Sequence, residues 1–286
     1  MFTSEQIAAS IVRDVLANVD KITPQEIAAA AYQLGRQKSD HRAMALFCDF
    51  FLKAYKNFNS EFDDNGERMV LRRLASLCPA VIFDVGANVG EWTALASAEI
   101  PGAAFHAFEI VAETFSTLSA NLVGKENAFL NNFGLFSHSG EISVHVYDAS
   151  NKFSSFVNYP NGANQEKKCS VRTGDDYMRE KNIGRIDFLK MDVEGAEFDV
   201  LKGFSEAIDR GAIDVIQFEY GKVNIMTHHL LYDFYGLLES KGYAVGKIYP
   251  DYVDFRAYNL DDEDFLGPNY LACLRNRADI LQLLGK

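Results

Sequence analysis

The sequence predicts an α/β protein built on an open, mostly parallel sheet, with a helical region ahead of it. Three observations lead there. The stretch Val81 to Gly90, VIFDVGANVG, sets an apolar strand-like run before a glycine-rich turn, and a helix-compatible run follows from Glu91 to Ala98. That is the opening βα unit of an open α/β sheet. From Val81 onward, strand-length and helix-length apolar patterns alternate, as they do in parallel sheets. Four of the predicted strands end in an acid: Asp84, Glu109, Asp192 and Glu219. Ligands of such sheets bind outside the carboxyl ends of the strands, so these four side chains are expected to converge on one crevice.

The elements follow in order. Residues 4–78 read as helical, with Ile7, Ile11, Val15 and Val19 recurring every fourth position. Thr23-Pro24-Gln25-Glu26 is a capping box, and Gly35 can end its helix. Met44, Phe47, Phe51, Ala54, Tyr55 and Phe58 form a further stripe, and Asp64 with Glu67 repeats the capping-box spacing ahead of Val70, Leu71, Leu74 and Leu77. Residues 1–79 are therefore expected to form an N-terminal helical region that packs, dimerises or covers a substrate as a lid, the first two favoured. Residues 80–286 form the sheet domain. Its strands are expected at Val81 to Val85, Ala103 to Phe108, Ala128 to Phe133, Ile186 to Met191, Ile213 to Phe218, Tyr243 to Tyr249 and Tyr270 to Arg275, the last two antiparallel at an edge. Ile142, Val144 and Val146 alternate as a hairpin or edge strand. Asn151 to Lys168 is polar and reads as a substrate loop, with Phe153, Phe156 and Tyr159 tethering it or closing over an apolar or sugar face. Gly195 to Ile208 reads as one helix, and Asp251 to Asp264 as a solvated acidic loop.

Composition narrows the function. The chain has 286 residues, 48% hydrophobic and 24% charged, and a net charge of −12, which argues against a nucleic-acid partner. Cys48, Cys78, Cys169 and Cys273 lie far apart and form no C-x-x-C, so they read as reduced thiols of a cytoplasmic protein. Glu5, Arg13 and Asp14 interrupt the N-terminal apolar residues against a signal-peptide core, and no apolar run has membrane-spanning length.

The turn reads D-x-G-x-N-x-G rather than the G-x-G-x-x-G that a dinucleotide pyrophosphate prefers. Gly86 and Gly90 allow close backbone approach, and the helix that follows offers free N–H groups. An acid before the first glycine suits a positively charged ligand, such as the amine and sulfonium of S-adenosylmethionine (SAM). Glu109, 25 positions after Asp84 at the tip of the second strand, can accept hydrogen bonds from both ribose hydroxyls.

The blocks FDVGANVGEWT, AFEIVAETFSTLSANL, DFLKMDVEGAEFDVLKGF and IQFEYG resemble the FkbM family of SAM-dependent methyltransferases. The resemblance covers Val81 to Arg275, and KMDVEGAE is its most specific part. It implies a class I methyltransferase (Rossmann-like) fold, a seven-stranded sheet in the order 3-2-1-4-5-7-6 with strand 7 antiparallel. It also implies methyl transfer from SAM, usually to a hydroxyl of a sugar, glycan or polyketide-like natural product. By the same resemblance Asp84, Gly86, Asn88 and Gly90 line the methionine end of SAM, Glu109 holds the ribose, and Asn132 approaches the adenine. Asp192 and Glu194 lie beside the transferred methyl. Ile110 stands where the family commonly has proline.

A hydroxyl acceptor needs a base or a metal ion. The favoured route makes Asp192 or Glu219 the base, tuned by Lys190 or a histidine. The other uses Asp192 and Glu219 to coordinate a magnesium-like ion. His228 and His229 read as surface residues at a helix start, His106 as structural and Trp92 as core. Lys167, Lys168 and Arg172 form a local basic patch. Two further functions stay open: a SAM- or nucleotide-binding module without catalysis, and a NAD-dependent oxidoreductase.

Overall fold

The computed structural model describes residues 23, 25, 26, 28, 29, 32, 42–147, 154–158, 165–267 and 269–286. The stripe Ile7, Ile11, Val15 and Val19, the helix stop at Gly35, and Phe153 and Tyr159 lie outside them. The chain divides into two compact units, Met1–Tyr55 and Lys56–Lys286. In the first, the Thr23 hydroxyl accepts from the Glu26 N–H and the Glu26 carboxylate from the Thr23 N–H, the expected capping box, and α1 (Arg42–Tyr55) stacks Phe47 on Phe51.

The second unit is a three-layer sandwich. Its large sheet joins β1 (Val81–Val85), β2 (Ala104–Phe108), β3 (Ala128–Asn131), β8 (Ile186–Met191), β9 (Ile213–Glu219), β10 (Tyr243–Ile248), β11 (Val253–Phe255) and β12 (Asn269–Leu274). The order is β3-β2-β1-β8-β9-β12-β10-β11, and β12 runs antiparallel to both neighbours. The first seven reproduce the expected 3-2-1-4-5-7-6 arrangement. The sheet nevertheless has eight strands, because β11 forms inside the expected acidic loop. Val253 supplies the reason: it is buried with Ile248 in the core, while Asp251 is exposed and the partly buried Asp254 pairs with Arg256 and Lys286.

Strand alternation sends Phe83, Leu189, Ile216 and Phe218 to one face and Ile82, Phe188, Val215 and Leu271 to the other. The first face is covered by α5 (Gly174–Glu180), α6 (Glu197–Gly203), α7 (Ser205–Asp209) and α9 (Leu231–Ser240). The second is covered by α2 (Glu67–Ala75), α3 (Glu91–Glu99) and α10 (Ala278–Leu284). Helix α4 (Ala112–Asn121) packs Leu118 on Ala87 and Ala107. Helix α8 (Val223–Thr227) follows β9.

Several sequence expectations change. Helix α2 belongs to the sheet body, which begins at Lys56 rather than at residue 80. Its N-cap is Gly66, in the left-handed region, with the Asn65 side chain rather than Asp64 accepting from the Glu67 N–H. The run after Gly195 forms two helices broken at Phe204, whose ring is buried in the core. A second sheet, β4-β7-β5-β6, joins β4 (Gly134–Leu135), β5 (Gly140–Val146), β6 (Ser154–Ser155) and β7 (Gln165–Arg172). Residues 165–168, expected in a loop, begin β7. That strand exposes Glu166, Lys168 and Ser170 and buries Cys169 and Val171, so its polar half disguised a strand. Among the described residues no helix is long and apolar enough to cross a membrane.

Candidate active site

A cleft opens at the carboxyl ends of β1, β2 and β8, with the small sheet as its far wall. The β1–α3 turn forms one side. Gly86 (φ +82°) must be glycine: an added Cβ would lie 1.8 Å from the Asp192 carbonyl oxygen, so the turns after β1 and β8 touch backbone to backbone. The Gly86 and Ala87 N–H groups donate to the Phe108 carbonyl (3.0 and 2.9 Å), which binds the turn to β2. Glu109 follows on β2. It is buried, and its carboxylate accepts from the Asn88 N–H (3.1 Å) and the Val111 N–H (2.8 Å). Burial pushes its pKa to about 7 against the pull of those amides.

Of the ten residues expected at the site, Gly86, Asn88, Glu109, Asp192 and Glu194 line this cleft. Phe108, Phe136, Phe156, Ile142 and Val171 give it an apolar side. The other five stand elsewhere. Asp84 does not face the ligand space: it is fully buried, accepts from the Thr93 hydroxyl at 2.6 Å, and lies 3.2 Å from the Lys190 ammonium. Lys190 also lies 3.4 Å from Asp192 and sits over the Trp92 ring at 5.5 Å. Burial alone would lower its pKa, but Asp84, Asp192 and Glu67 together more than offset this and leave it raised. Lys190 is thus a fixed cation beneath Asp192. Gly90 caps α3 against Leu118 rather than lining the cleft. Asn132, beyond the end of β3, spends its amide on the Glu109 carbonyl (2.9 Å).

Glu219 ends β9 outside the cleft lining, yet joins a cluster there. Single carboxylate oxygens of Asp192, Glu194 and Glu219 all lie within 4.8 Å of one another. Burial raises the Glu194 pKa to about 8, reinforced by Asp192 and Glu197. Burial raises Glu219 as well, with Asp192 and Glu194 adding to it. Three crowded carboxyl groups can share protons or accept a divalent cation.

The remaining candidates fall away from this centre. His229 stacks on Phe198 at 4.3 Å and burial lowers its pKa; His228 closes α8 in the left-handed conformation. His106 bonds the Tyr177 hydroxyl at 2.8 Å, and Trp92 is core. On the basic patch, Lys167 pairs with Glu113 and Arg172 with Glu180.

Sequence reasoning passed over Glu197, Ser155 and Thr93. Glu197 closes the same D-V-E-G-A-E block, which was the available signal. It is fully buried on two backbone amides, and burial carries its pKa to about 7.

These raised carboxyl groups give a pH prediction. Each binds its proton more tightly folded than unfolded, so its contribution to stability is full below the ordinary value near 4.5 and is lost as pH rises through the folded value. With folded values of about 7 for Glu109 and Glu197 and about 8 for Glu194, Tm should fall steadily from pH 5 to pH 8. Glu109→Gln should flatten that decline. Differential scanning fluorimetry across the range checks it, and a Tm that rises with pH would contradict the assignment.

Comparison with known proteins identifies relatives of the chain. A family model described as "Methyltransferase FkbM domain" matches residues 84–245. "Methyltransferase 1" of Beauveria bassiana is 29% identical over 205 residues, covering 63% of this chain and 79% of its own. The hexuronic acid methyltransferase AglP of Haloferax volcanii is 27% identical, covering 56% of this chain and 65% of its own. The 31-O-demethyl-FK506 methyltransferase FkbM of Streptomyces tacrolimicus is 29% identical, covering 49% and 66%. The match thus spans just under two thirds of the length of each of the last two. Because the family model covers more than half of the sequence, from the acid at the end of β1 to the start of β10, this chain belongs to the FkbM methyltransferase family.

Proposed function

We propose that the chain transfers the methyl group of SAM to a hydroxyl oxygen of a sugar, a glycan or a polyketide-like natural product. The observation that carries this reading is the meeting of the Gly86–Asn88 turn, Glu109, and the Asp192 and Glu194 carboxylates around one cleft. The names of two relatives, acting on a hexuronic acid and on an O-demethylated FK506, support an oxygen acceptor.

The residues present fit SAM. Glu109 is a buried carboxylate on the cleft wall, suited to two ribose hydroxyls. Asp192 offers a carboxylate to a cationic ligand, a role Asp84 cannot fill because Lys190 and Thr93 occupy it. Bound SAM supplies an electrophilic methyl group on a sulfonium. The protein's part is to orient the acceptor and take its proton. Asp192 is the base in this reading: it lines the cleft, and Lys190 holds it from below. With SAM bound, Asp192 would take the acceptor's O–H proton as that oxygen accepted the methyl group, the sulfur keeping the electron pair of the broken S–C bond. Glu219 and Glu194 receive or share that proton within the cluster.

Three experiments test this. S-adenosylhomocysteine should raise Tm while NAD leaves it unchanged, and Glu109→Ala should weaken S-adenosylhomocysteine binding about tenfold or more by calorimetry, the loss of hydrogen bonds to a charged group. Undiminished affinity rejects the cofactor assignment. Radiolabelled methyl transfer from SAM to a panel of monosaccharides, uronic acids and hydroxylated macrolides then identifies the acceptor. A catalytically silent binding module gives the thermal shift and no transfer.

The same three carboxylates suit a divalent cation that would lower the acceptor's pKa. Turnover unchanged after exhaustive chelation supports the base route. Turnover lost on chelation and restored by magnesium supports the metal route.

A further inference from the structure

We propose that Glu197 is a positioning residue whose carboxylate, together with the Ser155 hydroxyl, clamps the Glu194 peptide so that the loop 192–195 presents its acids to the cleft. This rests on the methyl-transfer reading and adds to it a residue that never touches the ligand.

The contacts are specific. One Glu197 oxygen accepts from the Val193 N–H at 2.9 Å and the other from the Gly195 N–H at 3.0 Å. The two amides that bracket Glu194 therefore end on one fully buried carboxylate. From the small sheet, Ser155 Oγ donates to the Glu194 carbonyl at 2.5 Å and accepts from the Val157 N–H at 3.0 Å. Between these anchors Glu194 adopts φ +52°, a left-handed conformation uncommon for a side chain with a Cβ. Gly195 follows at φ +108°, where a Cβ would meet Val223 at 2.6 Å. An acid in the first turn of a helix ordinarily stays near that helix's own N–H groups. Glu197 opens α6 but reaches back to amides that precede the helix. What it holds is a cleft wall: Asp192, Val193 and Glu194 all line the cavity. The clamp thus stabilises a backbone state that the loop would otherwise leave, and that state brings the Asp192 and Glu194 carboxylates together.

The test uses the full chain, with S-adenosylhomocysteine as the probe. In Glu197→Gln the side chain keeps its shape but offers one acceptor instead of two; Ser155→Ala removes the opposite anchor. In each variant the Val193 and Gly195 amides, where observed by NMR, should exchange about tenfold faster or more, for the loss of one hydrogen bond to the loop. Amides of β1 and β8 should keep their protection, and S-adenosylhomocysteine affinity should fall by about the same factor. A purely structural role lowers Tm and leaves the affinity of the folded protein unchanged, and that result overturns the proposal. So does unchanged exchange at both amides. If Glu197→Gln fails to fold, Ser155→Ala decides by the same two readings. Wild-type protein that binds no S-adenosylhomocysteine overturns the methyl-transfer reading and the clamp's function with it; tight wild-type binding matched by both variants overturns the clamp alone.

Discussion

Asp84→Ala should lower folding stability by about 3–5 kcal/mol, because it leaves the Lys190 ammonium buried without its closest partner. Both side chains are almost wholly removed from solvent, at 0% and 5% exposure, so little screening offsets the loss. The Thr93 hydroxyl loses its acceptor in the same step. Asp192 remains near Lys190, but its side chain is 44% exposed and its share of the charge is partly solvated. Urea unfolding of the single variant measures the cost. The double variant Asp84→Ala/Lys190→Met should recover much of it, since replacing a buried ion pair by apolar side chains is often close to neutral. A single-variant loss below about 1 kcal/mol would mean that the pair behaves as a surface one. This reverses the role the sequence assigned to Asp84: the residue holds the sheet together and sets up Lys190 rather than touching a ligand.

Asp192→Asn is expected to slow methyl transfer by about 10²–10⁴-fold, the usual scale for loss of a general base, with S-adenosylhomocysteine affinity little changed. The two results belong together. Asparagine keeps the size of the side chain and the backbone contacts of the loop: the Asp192 N–H still donates to the Val85 carbonyl at 2.9 Å, and the Asp192 carbonyl still abuts Gly86. The variant removes only the proton acceptor and the charge facing Lys190. Its half-exposed position makes a stability loss on the scale of Asp84→Ala unexpected. Single-turnover transfer to the acceptor identified by the panel measures the effect. Wild-type turnover would remove Asp192 from both the base and the metal routes and leave Glu194 and Glu219 as the acids to examine.

The fold was largely legible in the sequence because its information is local. Four strands of the parallel core, β1, β2, β8 and β9, are short apolar runs bounded by an acid or a glycine, and their period needs no partner to be read. Strand β7 escaped notice because one face is solvated and carries Lys168 and Ser170; β11 escaped because three residues do not establish a period. The site was legible in part for the same reason. Glu109 and Asp192 could be placed at strand ends from spacing alone, Glu194 only through the resemblance of its D-V-E-G-A-E block, and all three reach the cleft.

What the sequence determined by itself was the order of strands and helices, the glycine turn after β1, and the set of acids at the sheet's carboxyl edge. Tertiary structure alone decided how those acids divide their work. A carboxylate is claimed by whichever cation, amide or cleft lies nearest in space, and chain order does not encode that distance. So Lys190 takes Asp84 into the core, two backbone amides hold Glu197, and Asp192 and Glu194 are left facing the cavity.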